Sequence, residues 1–421
     1  MGASAFPVQG LVAGRAGVTR SGAGARAPWY VWCGVAAVTS ATIGGVWDVS
    51  WHRSIGRDTF WTPAHMMIYA CGVLAAVVCG YLVFATTFGK PGERFAALKA
   101  SSVSVLGFHA PMGAFLAAWG GIAMMTSAPF DNWWHDAYGL DVKIVSPPHT
   151  LLILGIRAVG VGVLFLILAA MNRAANESAL PPANPGAASN ADLSANAAKY
   201  KTLQRLLLYM GGLMISGQMF FLQEYTWDIQ LHSAGAYVAM AVALPVAFAM
   251  LAQAARHKWA ATISAAVYTA FLLAEQWILP LFPATPKLGP VYYQVTHMVP
   301  AKFPILIIIP AIALDLLWQR TKHWKTWQVA LASGVLFIAV LTAVEWPFAS
   351  LLMSKASQNR FFGTMYFDYN SRPQGFDRLR MFFHISTMQE LWAGLARGAA
   401  YGAIGTWVGM QFGKWMRSVQ R

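Results

Sequence analysis

Charged residues are scarce in this sequence. Only 11% of its 421 residues are Asp, Glu, Lys or Arg, whereas 57% are hydrophobic and the mean hydropathy is +0.48. A soluble protein carries about twice that charged fraction. Several apolar runs also reach the roughly 20 residues that a helix needs to cross a bilayer. The composition therefore excludes an ordinary soluble protein and predicts an all-α, polytopic membrane helical bundle.

Acidic residues are scarcer than basic ones, 16 against 30, which gives a net charge of +14. The basic residues lie between the apolar runs instead of forming one patch, so they indicate topology and not nucleic-acid binding. Residues 1–28 are rich in Gly, Ala and Arg and lack the apolar core of a signal peptide, so we expect a cytoplasmic tail there. We expect both termini in the cytoplasm of a multi-pass protein of a bacterial inner membrane.

Cysteine is nearly absent. Cys33, Cys71 and Cys79 are the three cysteines of the chain, and all lie within apolar runs without C-x-x-C spacing. This pattern excludes a disulfide framework and a thiolate metal site. We expect all three to be small buried hydrophobic residues.

About ten apolar segments are predicted to be transmembrane helices, in two membrane modules. The predicted spans are residues 29–47, 63–86, 103–126, 149–171, 203–222, 233–254, 260–280, 303–318, 327–344 and 393–413. Residues 172–202 are polar, small and proline-containing, which is typical of a flexible linker. The prediction is thus a tail at 1–28, one module at 29–171, the linker at 172–202 and a second module at 203–421.

Histidine and aspartate are concentrated at the ends of the apolar runs. In the stretch Trp47–Tyr69, Asp48, His52 and His65 follow the pattern D-x3-H-x12-H. Asp48 and His52 are four residues apart, so they share one face of a helix. His65 lies at the start of the next span, which places it at the same depth in the membrane as Asp48 and His52. A carboxylate and two imidazoles in this arrangement predict a metal site.

The stretch Asp131–Gly155 repeats the pattern. Asp131, His135 and His149 follow D-x3-H-x13-H, and both stretches end in P-x-H. The same helix-end geometry is therefore available a second time, and we predict these three residues as a second set of metal ligands.

A structural interpretation competes with the metal interpretation. A histidine at the membrane interface is often an anchor, and Asp48 is also placed to cap a helix or to pair with Arg53 or Arg57. Repetition of the whole triple favours metal binding, since ionisable residues at membrane depth are costly without a function. The ligand types suit copper, zinc and non-haem iron alike, so they do not select the metal.

The first stretch resembles the copper-binding segment of the C-type membrane subunit of the particulate methane and ammonia monooxygenases. The matching residues are Asp48, Trp51, His52, Arg57, Asp58, Thr59, Thr62, Pro63 and His65. The resemblance implies copper at Asp48, His52 and His65, which would then be catalytic. The second stretch resembles the second ligand set of that C-type protein, at Asp131, His135 and His149. The family usually has Asn where this chain has Asp131.

The second module is similar, more loosely, to the A-type membrane subunit of the same family. The similar stretches are Glu275–Trp277, Val299–Asp315 and Trp346–Ser354, followed by the last span. The chain would then be a fusion of a C-like and an A-like module. The resemblance implies a homotrimer and a separate periplasmic cupredoxin-like subunit. It also implies an electron donor, either quinol or a periplasmic carrier.

The function expected from this resemblance is a copper-dependent membrane monooxygenase, or its membrane component. Such an enzyme hydroxylates a small apolar substrate or ammonia with O2. The alternative is a non-catalytic membrane protein that binds or handles copper or zinc. A continuous line of ligands across the spans, as transport requires, is not visible in the sequence.

Overall fold

The structure is a computed structural model of the chain. It describes residues 26–56, 61–89, 98–99, 101–139, 146–179, 190–225, 231–287, 295–366 and 386–420. These described residues are 79% helical and contain ten α-helices, which confirms the all-α fold. Six of the helices are long and apolar enough to cross a membrane. The protein is therefore a multi-pass helical membrane bundle, as the composition predicts.

Four long helices form the first half. They are α1 (Trp29–Ser54), α2 (Pro63–Phe88), α3 (Met112–Tyr138) and α4 (Pro147–Ala179). Glycines allow these helices to approach closely. A Cβ on Gly121 would lie 2.6 Å from the carbonyl oxygen of Gly72, and one on Gly120 would lie 2.7 Å from that of Gly155. Small residues at helix contacts are typical of membrane bundles.

The predicted third span is wrong in its first part. Residues Val103–Val105 (β1) and Phe108–Ala110 (β2) form an antiparallel hairpin, and α3 begins only at Met112. Leu106 and Gly107 both have positive φ, 51° and 84°, as a tight hairpin turn requires. The apolar residues of this stretch therefore belong to a short sheet that packs against α2.

Six helices form the second half. They are α5 (Asn190–Tyr225), α6 (Ala234–Ala255), α7 (Ala260–Ile278), α8 (Ile308–Arg320), α9 (Thr326–Leu352) and α10 (Met388–Met416). The helices α4 and α5 continue into both ends of the predicted linker, and only residues 180–189 of it lie outside the described part. Long α10 packs along α6, where Gly409 faces the backbone of Val246.

The eighth predicted span starts later than expected. Residues 299–306 are non-helical, and the 13 residues of α8 extend only about 20 Å. Non-helical backbone within a bundle needs internal hydrogen-bond partners. The Ile305 amide donates to the Tyr268 hydroxyl (3.1 Å), and the Leu306 amide donates to the Glu345 carboxylate (2.9 Å).

Direct contacts join the two halves at both ends of the bundle. At one end, Asn172 donates from Nδ2 to the carbonyl oxygens of Met416 (2.9 Å) and Val419 (2.7 Å). At the other end, Ser50 Oγ donates to the Val299 carbonyl, and the Val299 amide donates to Ser54 Oγ (2.7 Å). The second contact fixes the end of α1 that carries Asp48 and His52.

Candidate metal centre

The end of α1 and the start of α2 bring the first predicted ligand set together. Asp48 and His52 are one turn apart near the end of α1, and Pro63 and the Thr62 cap start α2 just before His65. Thr62 Oγ1 accepts a hydrogen bond from the His65 amide (3.2 Å). This cap fixes where the helix begins and therefore places the imidazole.

The three side chains converge on one point. Asp48 Oδ1 lies 3.1 Å from His65 Nε2 and 3.6 Å from His52 Nε2. One ligand atom from each residue can be chosen so that all lie within 4.8 Å of one another. Metal–ligand bonds of about 2.0–2.2 Å require ligand atoms at about this spacing. The first triad, Asp48, His52 and His65, therefore fits a metal ion with little adjustment.

Asp48 Oδ1 is the informative atom of this triad. It is buried and accepts no hydrogen bond from the described residues, although His65 Nε2 is 3.1 Å away. The Asp48 side chain as a whole is 21% exposed, so water reaches part of the carboxylate but not Oδ1. A cation placed between this oxygen and the imidazoles would be bound by Oδ1 and both Nε2 atoms at once.

The second predicted set has the same construction. Asp131 and His135 lie near the end of α3, and His149 lies at the start of α4. Asp131 Oδ2 is 3.4 Å from His135 Nε2, and Oδ1 is 3.9 Å from His149 Nε2. Asp131 Oδ1 is also buried without a hydrogen-bond donor among the described residues. The second triad, Asp131, His135 and His149, is thus assembled but slightly wider than the first.

The Nδ1 atoms of the two histidines in the second triad, which do not face Asp131, contact other groups of the protein. His135 Nδ1 lies 3.2 Å from the Gly139 carbonyl oxygen, and His149 Nδ1 lies 2.8 Å from Ser146 Oγ. A carbonyl oxygen accepts only, so Nδ1 of neutral His135 carries the proton and Nε2 offers its lone pair. Such contacts orient histidines that bind metals.

The supporting residues Thr62 and Ser146 were not predicted as part of the sites. A pattern in the sequence does mark these two residues. Each is followed directly by proline and stands three positions before a histidine of a triad. Of the resemblance residues, Arg57, Asp58 and Thr59 lie outside the described residues.

One cavity lies at the level of the first triad on the other face of α1. Val46, Val49 and Arg53 line it from α1, and Phe220, Leu272 and Lys302 line it from the second half. At 100° per residue, these α1 positions point away from Asp48. The walls combine apolar side chains with two cationic ones.

Comparisons with protein-family models, with curated proteins and with solved structures found no match. The residues and their geometry therefore carry the functional argument.

Proposed function

We propose that the protein is the membrane component of a copper-dependent monooxygenase, which hydroxylates a small apolar molecule or ammonia with O2. The metal is held by Asp48, His52 and His65. The observation that carries the proposal is the convergence of Asp48 Oδ1, which accepts no hydrogen bond from the described residues, with the Nε2 atoms of His65 (3.1 Å) and His52 (3.6 Å). Two imidazoles and a carboxylate are a good ligand set for copper, and the resemblance to the C-type protein of the monooxygenases favours copper over zinc and iron.

The chain's own residues have distinct tasks in this proposal. Asp48 supplies the negative charge that balances the cation, and His52 and His65 supply neutral nitrogen ligands. His65 comes from α2, so a bound metal would link α2 to α1. The chemistry that bound copper supplies is the reduction of O2. The electrons come from quinol or a periplasmic carrier, and a separate cupredoxin-like protein is the expected partner.

The cavity behind α1 does not select the substrate. It has apolar walls from Val46, Val49 and Phe220 and two cationic ones, Arg53 and Lys302, but its volume of about 20 Å³ holds about one water molecule. The proposal places the protein in an inner membrane, with both termini in the cytoplasm and the triads on the periplasmic side.

A second candidate function is metal handling without catalysis. The His52 side chain is 40% exposed, so solvent reaches one ligand of the first triad. An exposed ligand favours exchange of metal with a partner. The wider second triad would then be a second, weaker position for the same ion.

The test is the metal content of protein purified in lipid nanodiscs, measured by mass spectrometry. We expect one or two copper equivalents in the wild type and about one fewer in His52→Ala. Cys71→Ala is the control, because Cys71 is fully buried between helices and outside both triads. Copper bound without oxygenase activity, even with electron donor and partner, would favour metal handling. Zinc or iron would exclude the copper enzyme, and equal metal content in His52→Ala would exclude the site.

A further inference from the structure

Arg417 is held in one orientation at the end of the bundle opposite the triads. It follows Met416, the last residue of α10. Its guanidinium donates from Nε to the Gln253 carbonyl oxygen (2.7 Å) and from Nη2 to Gln253 Oε1 (2.7 Å), which joins α10 to the last turn of α6. Two hydrogen bonds to one residue fix the plane of the guanidinium. They leave Nη1 without a partner among the described residues.

Arg256 brings a second guanidinium to the same place. It follows α6 directly, three residues after Gln253, and it is exposed. It lies close enough to Arg417 for the two positive charges to repel each other. Neither arginine forms an ion pair with a carboxylate of the described residues. Like charges held together without a counter-charge are unfavourable, so helix packing alone does not explain this pair.

The backbone at Arg256 is also unfavourable for arginine. Its φ of 51° and ψ of 39° are those of the left-handed region, at the residue that ends α6. Glycine is the usual residue at such a helix end, because a Cβ disfavours this conformation. Within the described part of the chain, the Arg256 side chain makes no hydrogen bond and no ion pair. Its charge is therefore available to a group outside the protein.

Asp315 lies at the same end of the second half but does not balance these charges. It is 1% exposed, and its carboxylate accepts the Thr262 amide (2.8 Å) and the Ala261 amide (3.3 Å). Both of its oxygens thus serve the start of α7. The exposed side chains of Lys258 and Arg320 add further positive charge to this end of the bundle.

We propose that Arg256 and Arg417 together bind a phosphate group. A phosphate has several charged oxygens, which accept the parallel N–H bonds of a guanidinium. Nη1 of Arg417 and the guanidinium of Arg256 would contact different oxygens of one phosphate, and its negative charge would offset their repulsion. Two sources carry this group at the end of a membrane bundle, the headgroup of an anionic phospholipid and a soluble phosphate compound.

The phosphate site uses no residue of either triad. Asn172, which donates to the Met416 carbonyl oxygen, marks the end of the bundle where Arg417 lies, whereas Asp48 lies near the end of α1 that Ser50 and Ser54 join to Val299. Phosphate binding is therefore expected with or without metal. Its failure is distinguishable from failure of the copper proposal.

The test is a titration of the full-length protein in neutral detergent with short-chain phosphatidylglycerol, read by native mass spectrometry. Phosphatidylcholine of the same chain length is the reference, because choline neutralises its phosphate. We expect Arg417→Gln to weaken phosphatidylglycerol binding about tenfold, as expected for loss of a charge-assisted hydrogen bond. Glycerol 3-phosphate distinguishes the two sources. Competition by it at equal concentration assigns the site to a soluble phosphate, and its failure to compete assigns the site to the lipid.

Arg256→Gly separates phosphate binding from a structural role. Glycine suits the left-handed backbone, so this variant should unfold at the same or a higher temperature in the absence of phosphate compounds. Its affinity for phosphatidylglycerol should nevertheless fall about tenfold. Arg417→Gln also loses its bonds to Gln253 and should unfold at a lower temperature. Arg256→Gly therefore keeps the proposal testable if Arg417→Gln does not fold.

Arg320→Gln is the matched control. Arg320 is exposed at the end of α8 and is not among the groups that act on Arg417. Its phosphate affinity should equal that of the wild type. Equal weakening in Arg320→Gln and Arg256→Gly would overturn the proposal, because the positive charges would then act as a diffuse surface that only sets topology. Affinities unchanged in both Arg256→Gly and Arg417→Gln, for the lipid and for glycerol 3-phosphate, would also overturn it.

Discussion

The contact between α1 and Val299 offers a sharp test of how the two halves are joined. Ser54 Oγ accepts the Val299 amide (2.7 Å), and Ser50 Oγ donates to the Val299 carbonyl. Ser50 and Ser54 are 2% and 1% exposed, so water does not replace a lost partner. Ser54→Ala leaves a buried amide unpaired and should lower the free energy of unfolding by about 1–3 kcal/mol.

Ser50→Ala should cost less, about 1 kcal/mol, because a carbonyl oxygen tolerates a lost donor better than an amide tolerates a lost acceptor. The double variant should cost less than the sum of the two, since both bonds hold the same residue. Tryptophan fluorescence during SDS titration of the protein in mixed micelles measures these differences.

Ser418→Ala is the control for the serine pair. Its hydroxyl also bonds to a backbone oxygen, that of Trp415 (2.7 Å), but at an exposed position. We expect a change within about 0.5 kcal/mol. If Ser54→Ala is as mild as this control, Val299 is not held by α1, and the placement of the triad against the second half is refuted.

Two further predictions concern pH and helix packing. Burial lowers the pKa of His232 below its ordinary value of 6.5, so the unfolded chain binds a proton that the folded chain does not. The contribution of neutral His232 to stability is therefore full above pH 6.5 and is lost below it. Thermal unfolding should show a smaller loss of stability between pH 7.5 and 5.5 in His232→Gln than in the wild type. An equal loss would contradict the prediction. Gly334→Ala should destabilise by about 1–3 kcal/mol, because its Cβ would lie 2.2 Å from the Ala399 carbonyl oxygen. Gly80→Ala has no atom within 4 Å of the new Cβ and should be neutral or stabilising, so equal effects in the two variants would refute the packing argument.

The sequence predicted the helical class and both triads because each depends on local spacing. Asp48 and His52 share a helix face by periodicity alone, and the apolar runs set the spans. The hairpin at Val103–Ala110 was missed because its apolar residues continue the composition of a span. The turn at Leu106–Gly107, where both residues have positive φ, decides the structure there.

The late start of α8 was missed for a different reason. Most of residues 299–306 are apolar, as in a span, but the amides of Ile305 and Leu306 are satisfied by Tyr268 and Glu345 from other helices. No local pattern reveals such partners.

The buried carboxylate and amide side chains that hold the bundle together have hydrogen-bond partners. Asp315 accepts the Thr262 amide (2.8 Å), Glu345 accepts the Leu306 amide, and Asn172 donates to two carbonyls. Asp48 and Asp131 differ, because Oδ1 of each accepts no hydrogen bond from the described residues. These oxygens instead face a histidine Nε2 atom, at 3.1 Å in the first triad and 3.9 Å in the second. A carboxylate oxygen in this position is available to a metal ion, because a metal needs ligand atoms that hydrogen bonds have not already used.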